Sequence, residues 1–334
     1  MLFLSPFSFK LLQDIPVSLV LLPLKKVHLQ PVASCLFYTL YPAFFNIYFK
    51  ILRMTIVADC GSTKCDWLIL HGERNHQLEN TVGFSPFFHT SEEIKGIVEE
   101  QLLPKINADQ VTHLWFYGTG VHDGYRAEIV SKALTACFPN AQVEVEHDLL
   151  GAARAVCGHT AGIAGILGTG SNSCYYDGKT IVDNVPSLGW VLGDEGSGTH
   201  LGKALVRAFF YRELPADLNA AFLAAHPEGA TVIKDRAYEK GANSYLATFT
   251  RFLGEHASHP YIQSLVADSI GEFLDRHVLK YSGAHNVPVH FVGSIAHHFQ
   301  DILVKCMEER KLKLGNVVRK PIYPLADFHT KHLD

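Results

Sequence analysis

The chain has 334 residues, of which 48% are apolar, so it is long enough for two ordinary domains with a full core in each. Its 29 basic and 33 acidic residues give a net charge of -4, which leaves no basic surplus to neutralise a nucleic-acid backbone. The seven cysteines form no CxxC pair, which argues against a zinc ribbon, a disulfide framework or a redox dithiol. We therefore expect a globular cytoplasmic protein with reduced thiols and no nucleic-acid partner.

The N-terminal segment 1–53 differs in composition from the rest. No charged residue lies within 27–49, a length that could cross a bilayer, but Pro31 and Pro42 interrupt this run. Met54 is followed directly by a predicted strand that opens a functional motif. We expect residues 1–53 to be a non-native or disordered extension and do not expect a membrane partner. A membrane anchor and an additional packed element are the alternatives.

From Met54 onward, short β-branched runs alternate with amphipathic helical stretches, the pattern of an α/β protein. The first half reads as a strand hairpin followed by a helix, a strand, a helix, a strand and a helix. The predicted strands are 55–58, 65–71, 112–117 and 142–146, and the predicted helices are one capped by Ser91, one over 125–137 and one over 149–156.

At Gly162 the same order begins again, with a strand, a glycine turn and a returning strand. The strand-turn-strand unit around 59–63 aligns with the one around 168–172, which is a weak internal repeat. A duplicated domain with a cleft between the copies is the sharper interpretation, and chance similarity of two glycine turns is the alternative. We predict lobes at 54–160 and 161–329 and a tail at 330–334.

Both glycine turns can expose consecutive backbone N–H groups to phosphate oxygens. In the first, Asp59 ends a strand where a carboxylate could hold Mg²⁺ through water, and Thr63 and Lys64 can donate to phosphate. The second, 168–172, offers hydroxyl and amide donors without negative charge. A single turn of this kind is usually structural, but two at the heads of two repeats indicate a phosphate site. Neither turn matches a P-loop, and no Rossmann fingerprint is present.

Asp148 lies between a predicted strand and a helix rich in small residues. It is either the N-cap of that helix or a general base for a substrate hydroxyl, because phosphoryl transfer benefits from a carboxylate beside the nucleophile. In the segment 189–198, Asp194 and Glu195 lie among four glycines. Carboxylates can accept from neighbouring sugar hydroxyls and glycines admit the ring, so this segment indicates a sugar site.

Together these segments resemble the actin-like ATPase and sugar-kinase superfamily, and within it the group that unites N-acetylglucosamine kinases with BadF/BadG/BcrA/BcrD-type ATPases. The resemblance covers about residues 54 to 329 and implies two RNase H-like lobes around an interlobe cleft that binds ATP and Mg²⁺. It rests on five motifs in the family's order: Asp59–Lys64, Asp148 with the following Gly-Ala-Ala helix, Leu167–Asn172, Gly193–Ser197 and Val292–Ile295.

By this resemblance, Thr63 and Thr169 match positions that contact ATP phosphates, and Asp148 and Asp194 match residues that bind the sugar. Ala247 matches a position near the nucleotide, and Gly293–Ser294 would lie by the adenosine. The residues expected to bind ATP are Asp59, Gly61, Ser62, Thr63, Lys64, Gly168, Thr169, Gly170, Ser171, Ala247, Gly293 and Ser294, with Asp59 also holding Mg²⁺. Those expected to bind the sugar are Ser85, Asp148, Gly189, Asp194 and Glu195, with Asp148 as the catalytic base.

Two sugar loops depart from the family's pattern. Its N-acetylglucosamine kinases carry an asparagine after a glycine, whereas this chain has Gly83-Phe84-Ser85-Pro86-Phe87, in which Ser85 is a shorter substitute. The tryptophan of the animal enzymes' glycine-tryptophan-glycine loop falls at Leu188, with Trp190 displaced by two. These departures bear on which acetamido sugar is bound, not on the ATP site.

Three functions are compatible with this resemblance. The first is an ATP-dependent kinase, with a homodimer as one quaternary state, for N-acetylglucosamine or a relative such as N-acetylmuramic acid or glucosamine. The second is a BadF-type ATPase that activates a reductase or dehydratase through an iron–sulfur cluster, for which Cys137, Cys157 and Cys174 lack a suggestive pairing. The third is an inactive sugar-sensing module, against which the retained site carboxylates argue.

Overall fold

The structure is a computed structural model that describes residues 54–61, 63–71 and 75–330, all of them within one compact unit. The expectations for residues 1–53, for Ser62 and for the tail beyond Thr330 lie outside the described residues. Within the described ranges, no helix is long and apolar enough to cross a membrane.

Two five-stranded sheets form the framework of the described chain. In each sheet, three consecutive strands are antiparallel, and two later strands add in parallel on the other side of the first strand. The strands of the first sheet are β1 (Met54–Cys60), β2 (Lys64–His71), β3 (Asn75–Val82), β4 (Val111–Gly118) and β5 (Gln142–His147), in the order β3-β2-β1-β4-β5. Those of the second are β6 (Gly162–Leu167), β7 (Ser171–Tyr176), β8 (Ile181–Asp183), β9 (Val289–Val292) and β10 (Leu314–Val318), in the order β10-β9-β6-β7-β8.

Counted from its own first strand, each sheet has the same topology, so the internal repeat is confirmed, as is the α/β class with two RNase H-like lobes. Strands β3, β8, β9 and β10 were not predicted. Strands β3 and β8 lie at a sheet edge, and β3 has the mostly polar sequence NHQLENTV, so neither carries the apolar signal of a buried strand. Strand β9 is buried but has only four residues, which is a short signal.

Thirteen α-helices cover or connect the described parts of these sheets. They are α1 (Ser91–Gln101), α2 (Gly124–Cys137), α3 (Asp148–Cys157), α4 (Gly189–Leu192), α5 (Gly198–Tyr211), α6 (Ala216–Ala225), α7 (Gly229–Arg236), α8 (Ala242–Thr248), α9 (Thr250–Glu255), α10 (Pro260–Arg276), α11 (Ser294–His298), α12 (Gln300–Glu309) and α13 (Ile322–Thr330).

The prediction that Ser91 caps the first helix is wrong. Thr90 is the N-cap: its hydroxyl accepts from the Glu93 N–H at 3.3 Å, and its own N–H donates to the Glu93 carboxylate at 2.7 Å. This reciprocal capping box satisfies two backbone groups at once, which a serine one position later could not do. The Ser91 hydroxyl instead donates to the Ile129 carbonyl at 2.7 Å and ties α1 to α2.

Helix α3 contacts strands of both sheets, with Asp148 at its N-terminus. One side packs on the second sheet, where Ala153 and Val156 share a core with Ala164 and Val292. The C-terminal helix α13 returns to the first sheet and packs its apolar residues against β1, β2 and β4. Because α3 and α13 also contact each other, the second half of the chain is tied to the first. The predicted lobe boundaries stay predictions.

A buried network of polar side chains stabilises the contact of α3 and α13 with the first sheet. The Arg154 guanidinium donates to the Tyr117 hydroxyl at 2.7 Å, and that hydroxyl lies 2.7 Å from His329 Nε2. The His329 ring also stacks on Trp115, with ring centroids 4.1 Å apart. Burial, aided by the charge of Arg154, lowers the pKa of His329 to about 3. His329 is therefore neutral near pH 7, and its Nε2 accepts a hydrogen bond from the Tyr117 hydroxyl, so β4, α3 and α13 share one network.

Candidate functional site

The first glycine turn closes the β1–β2 hairpin. Asp59 lies directly opposite Asp66, and the Gly61 N–H donates to the Lys64 carbonyl at 2.9 Å. Gly61, Thr63 and Lys64 are exposed at the tip, and Ser62 is outside the described residues. The exposed tip can therefore present backbone and hydroxyl donors to a ligand.

Two lysines converge on Asp66 beside this turn. Lys64 Nζ lies 2.7 Å from Asp66 Oδ1, and Lys320 Nζ lies 3.4 Å from Oδ2. Lys64, predicted to donate to phosphate, is thus held by a neighbouring carboxylate. Lys320 follows β10 of the second sheet and reaches the first turn only through the tertiary fold. No sequence motif predicted this contact.

Asp59 is partly buried at the end of β1, and its pKa is raised to about 7. Burial is the main cause, followed by the charges of Asp148 and Asp66, while Lys320 acts in the opposite direction. Such uncompensated negative charge fits a divalent cation. Within the described ranges, no three ligating side chains are grouped to hold a metal directly. The carboxylates of Asp59, Asp66 and Asp148 fit a cation held through water, and the predicted role of Asp59 towards Mg²⁺ stays a prediction.

Asp148 is the first residue of α3, directly after β5. The N-cap is His147, whose Nδ1 accepts from the Leu149 N–H at 3.0 Å, so the alternative that Asp148 caps the helix is wrong. The Asp148 side chain is 29% exposed and, apart from an approach of 3.1 Å between its Oδ1 and His147 Nδ1, is open to a ligand. Its carboxylate is therefore available for chemistry.

A third glycine segment, missed from the sequence, lies between Asp148 and the first turn. Gly118 ends β4 opposite His147, and the Thr119 N–H donates to the Cys60 carbonyl at 2.9 Å. The segment Gly118–Gly120 reads Gly-Thr-Gly, identical to the centre of the second predicted turn and likewise at a strand end. That identity was the available signal.

Ser85 lies against this third segment but not in an open position. Its side chain is only 3% exposed, and its hydroxyl accepts from the Phe87 N–H at 3.4 Å. Gly120 has φ +82°, and a Cβ there would collide with Ser85 Oγ. Ser85 therefore packs the loop onto Gly120, and a role in touching sugar stays a prediction.

The second glycine turn is bound to the start of α5. The Gly198 N–H donates to the Gly168 carbonyl at 2.8 Å, and both the N–H and hydroxyl of Thr199 donate to the Thr169 carbonyl at 3.0 and 2.7 Å. Ser197 caps α5 by accepting from the His200 N–H. The turn and the Gly193–Ser197 motif therefore form one site.

Asp194 points into this second site. Its Oδ1 accepts from the Ser171 N–H at 3.4 Å and from the Ser187 hydroxyl at 3.3 Å. Burial raises its pKa, while these two hydrogen bonds act in the opposite direction. Asp194 has φ +61°, a strained conformation for a residue other than glycine. The nearby Ser171 hydroxyl is buried and finds no hydrogen-bond partner within the described ranges, which fits a ligand in this position.

Glu195 and Gly189 belong to the same segment as Asp194 but have different surroundings. Glu195 is buried and turns towards the end of α10, with its oxygens 3.6 Å from both Arg276 Nε and His277 Nε2. It forms an ion pair with Arg276, whereas Asp194 accepts hydrogen bonds from the uncharged groups of Ser171 and Ser187. Gly189 starts the short helix α4 with φ +70°. The sugar roles of both residues stay predictions.

Ala247 and Gly293 meet the second turn from two further elements. A Cβ on Gly198 would lie 3.3 Å from that of Ala247, and Gly293, with φ +123°, brings α11 against the Leu167 carbonyl. Ser294 follows as the first residue of α11. The structure thus groups the predicted residues into two sets. The first holds Asp59, Gly61, Thr63, Lys64 and Asp148; the second holds Gly168, Thr169, Gly170, Ser171, Asp194, Ala247 and Gly293.

A scan against models of protein families gave no match, and a search of curated proteins gave none. Among solved structures, a candidate N-acetylglucosamine kinase from Porphyromonas gingivalis is 38% identical, with a TM-score of 0.80, over 84% of this chain and 99% of that chain. Another from Chromobacterium violaceum, 17% identical with a TM-score of 0.63 over 83% of this chain and 98% of that chain, supports the fold alone. The 38% identity over nearly the whole relative means that this chain belongs to the N-acetylglucosamine kinase family, ATP-dependent sugar kinases of the actin-like ATPase superfamily.

Proposed function

We propose that this sugar kinase transfers the γ-phosphoryl group of ATP to a hydroxyl of an amino sugar, N-acetylglucosamine or a related N-acetylhexosamine, in the cytoplasm. The similarity to a candidate N-acetylglucosamine kinase supports the acetamido sugar as substrate. The free, buried cysteines fit a reducing compartment.

One structural arrangement supports the chemistry: Gly118 of β4 pairs with Cys60 of β1 on one side and with His147 of β5 on the other, so Asp59 and Asp148 lie at the same edge of the first sheet, one strand apart. Phosphoryl transfer needs a group that orients the attacking hydroxyl beside a group that organises the phosphates. Asp148 has an open carboxylate for the first task, and Asp59 adjoins the first glycine turn for the second. Their proximity is the arrangement that a kinase site requires.

The roles follow from these surroundings. Asp148 accepts a hydrogen bond from the sugar hydroxyl and takes its proton as the hydroxyl attacks the phosphorus. Asp59 would hold Mg²⁺ through water, and the ion would supply stabilisation of the charge on the transferring phosphoryl group. Thr63 and Thr169 donate to phosphate oxygens from the two turns, and Asp194 accepts from sugar hydroxyls. ADP leaves with the electron pair of the broken P–O bond.

The alternative of a reductase-activating ATPase has no observation in its favour. Such a protein holds an iron–sulfur cluster between subunits through cysteine thiolates. All six described cysteines are buried within their own chain, and burial raises the pKa of the thiols of Cys137, Cys157 and Cys174. These surroundings disfavour the thiolate that ligation needs.

The proposal is tested by ADP release, coupled to NADH oxidation, with N-acetylglucosamine, N-acetylmuramic acid, N-acetylmannosamine, glucosamine and glucose. We expect an N-acetylhexosamine to give the highest kcat/KM. Asp148→Asn, purified identically, controls for contaminating kinases. Equal or better turnover of glucose would overturn the amino-sugar assignment, and sugar-independent ADP release would overturn the kinase assignment.

A further inference from the structure

One ring nitrogen of His147, Nδ1, contacts two different groups. Its Nδ1 accepts from the Leu149 N–H at 3.0 Å and thereby caps α3. The same atom lies 3.1 Å from Asp148 Oδ1. The residue that begins the helix of the proposed base therefore also touches that base.

These two contacts exclude one another chemically. An imidazole nitrogen either has a lone pair that accepts or carries a proton that donates. In neutral His147 with the proton on Nε2, Nδ1 accepts the Leu149 N–H and cannot bond to the Asp148 carboxylate. In protonated His147, Nδ1 donates to Asp148 Oδ1 and the Leu149 N–H loses its acceptor.

We propose that His147 is a positioning residue whose protonation state decides whether Asp148 is free to receive the proton of the sugar hydroxyl. This inference rests on the proposed function of Asp148. With neutral His147, the carboxylate is open to the sugar. A proton taken from solvent onto Nδ1 occupies Oδ1 and lowers the basicity of the carboxylate, so catalysis falls.

The neighbouring charges bias this equilibrium in both directions. From the segment after β4, the His122 ring centroid lies 4.5 Å from that of His147, and a charge on either ring disfavours a charge on the other. From α3, the Asp148 carboxylate contacts His147 Nδ1. Behind His122, Asp123 and Arg126 at the start of α2 form an ion pair and influence His122 with opposite signs. On β5, Glu146 precedes His147. His147 thus lies between the carboxylate of the proposed base and a second imidazole.

The test compares pH profiles of kcat/KM for the N-acetylhexosamine that the panel identifies. His147→Asn retains an N-cap acceptor for Leu149 but cannot titrate near neutral pH. We expect the acid limb of the wild-type profile to move at least about one pH unit lower in this variant, with activity at about pH 8 within about threefold of wild type. His122→Asn, the matched control, keeps the contact between His147 and Asp148, so its acid limb should lie at the wild-type pH or higher and not move lower. An unchanged acid limb in His147→Asn would overturn the proposal.

A second measurement does not depend on the substrate. In protein with ¹⁵N-labelled histidine, the resonances of His147 are assigned by their loss in His147→Asn. We expect Nδ1 to be unprotonated at about pH 8 and to become protonated over the pH range of the kinetic limb. A proton on Nδ1 at about pH 8 would overturn the inference. If no sugar is phosphorylated while this titration is found, the proposed function fails and the histidine equilibrium stands.

Discussion

After burial, the charge of Asp148 is the next largest cause of the raised pKa of Asp59, although the two residues come from the end of β5 and the end of β1. Strand β4 lies between β1 and β5 in the sheet, so both residues are at the same edge. Mutual repulsion of this kind destabilises the empty site and favours a bound cation.

Asp59→Asn removes the charge with little change of shape. If Asp59 holds Mg²⁺ through water, kcat should fall by about 10²-fold or more, since the metal stabilises charge on the transferring group. Sugar binding, measured by calorimetry without ATP, should be retained within about threefold, because Asp59 is assigned to the metal and the phosphates and not to the sugar. Unchanged turnover and Mg²⁺ dependence would refute the assignment.

The variants Asp148→Asn and Asp194→Asn distinguish the role of catalytic base from the role of sugar binding. A base acts in the transition state, so Asp148→Asn should lower kcat by about 10² to 10⁴-fold with sugar affinity comparatively intact. Asp194→Asn should raise the KM for sugar more than it lowers kcat. Asparagine tolerates the positive φ of residue 194, so the variant tests the charge rather than the backbone. Steady-state kinetics at saturating ATP decides: the reverse pattern means that the two roles are exchanged.

Gly202→Ala tests the approach of α5 to α8. A Cβ on Gly202 would collide with the Leu246 carbonyl, next to Ala247 of the proposed nucleotide site. Although alanine favours helix, we expect a loss of about 1–3 kcal/mol in stability and a raised KM for ATP. Gly96→Ala is the matched control, because this exposed helical glycine has nothing within 4 Å of the added carbon, and it should gain up to about 1 kcal/mol. Denaturant unfolding of both variants measures the difference.

The buried His329 predicts a pH dependence of stability. Its folded pKa of about 3 lies below the ordinary value of 6.5, so the unfolded chain binds more protons between these limits. Its contribution is therefore complete above about pH 6.5 and is lost as the pH falls towards 3. His329→Gln, which keeps an acceptor for Tyr117, should reduce the stability difference between about pH 7.5 and 5, whereas exposed His297→Gln should not. Equal slopes in all three proteins would contradict this reading.

The strand-and-turn motifs predicted both lobes because each combines apolar strands with a glycine turn, a signal that local sequence carries. Edge strand β3 was not predicted because its sequence is mostly polar. The N-cap was predicted one position too late, at Ser91 instead of Thr90, because serine and threonine are both good N-cap residues. Lys320 and the Tyr117–His329 contact could not be foreseen, since they join residues distant in sequence. Thr119 could have been found from its Gly-Thr-Gly context.

The most direct test of the account is to identify the product. The protein is incubated with Mg-ATP and N-acetylglucosamine, and the phosphorus-containing products are followed by ³¹P NMR for wild type and Asp148→Asn. We expect wild type to form a sugar monophosphate in equal amount with ADP, and Asp148→Asn to form almost none. Inorganic phosphate released with ADP, without any phosphorylated sugar, would contradict it.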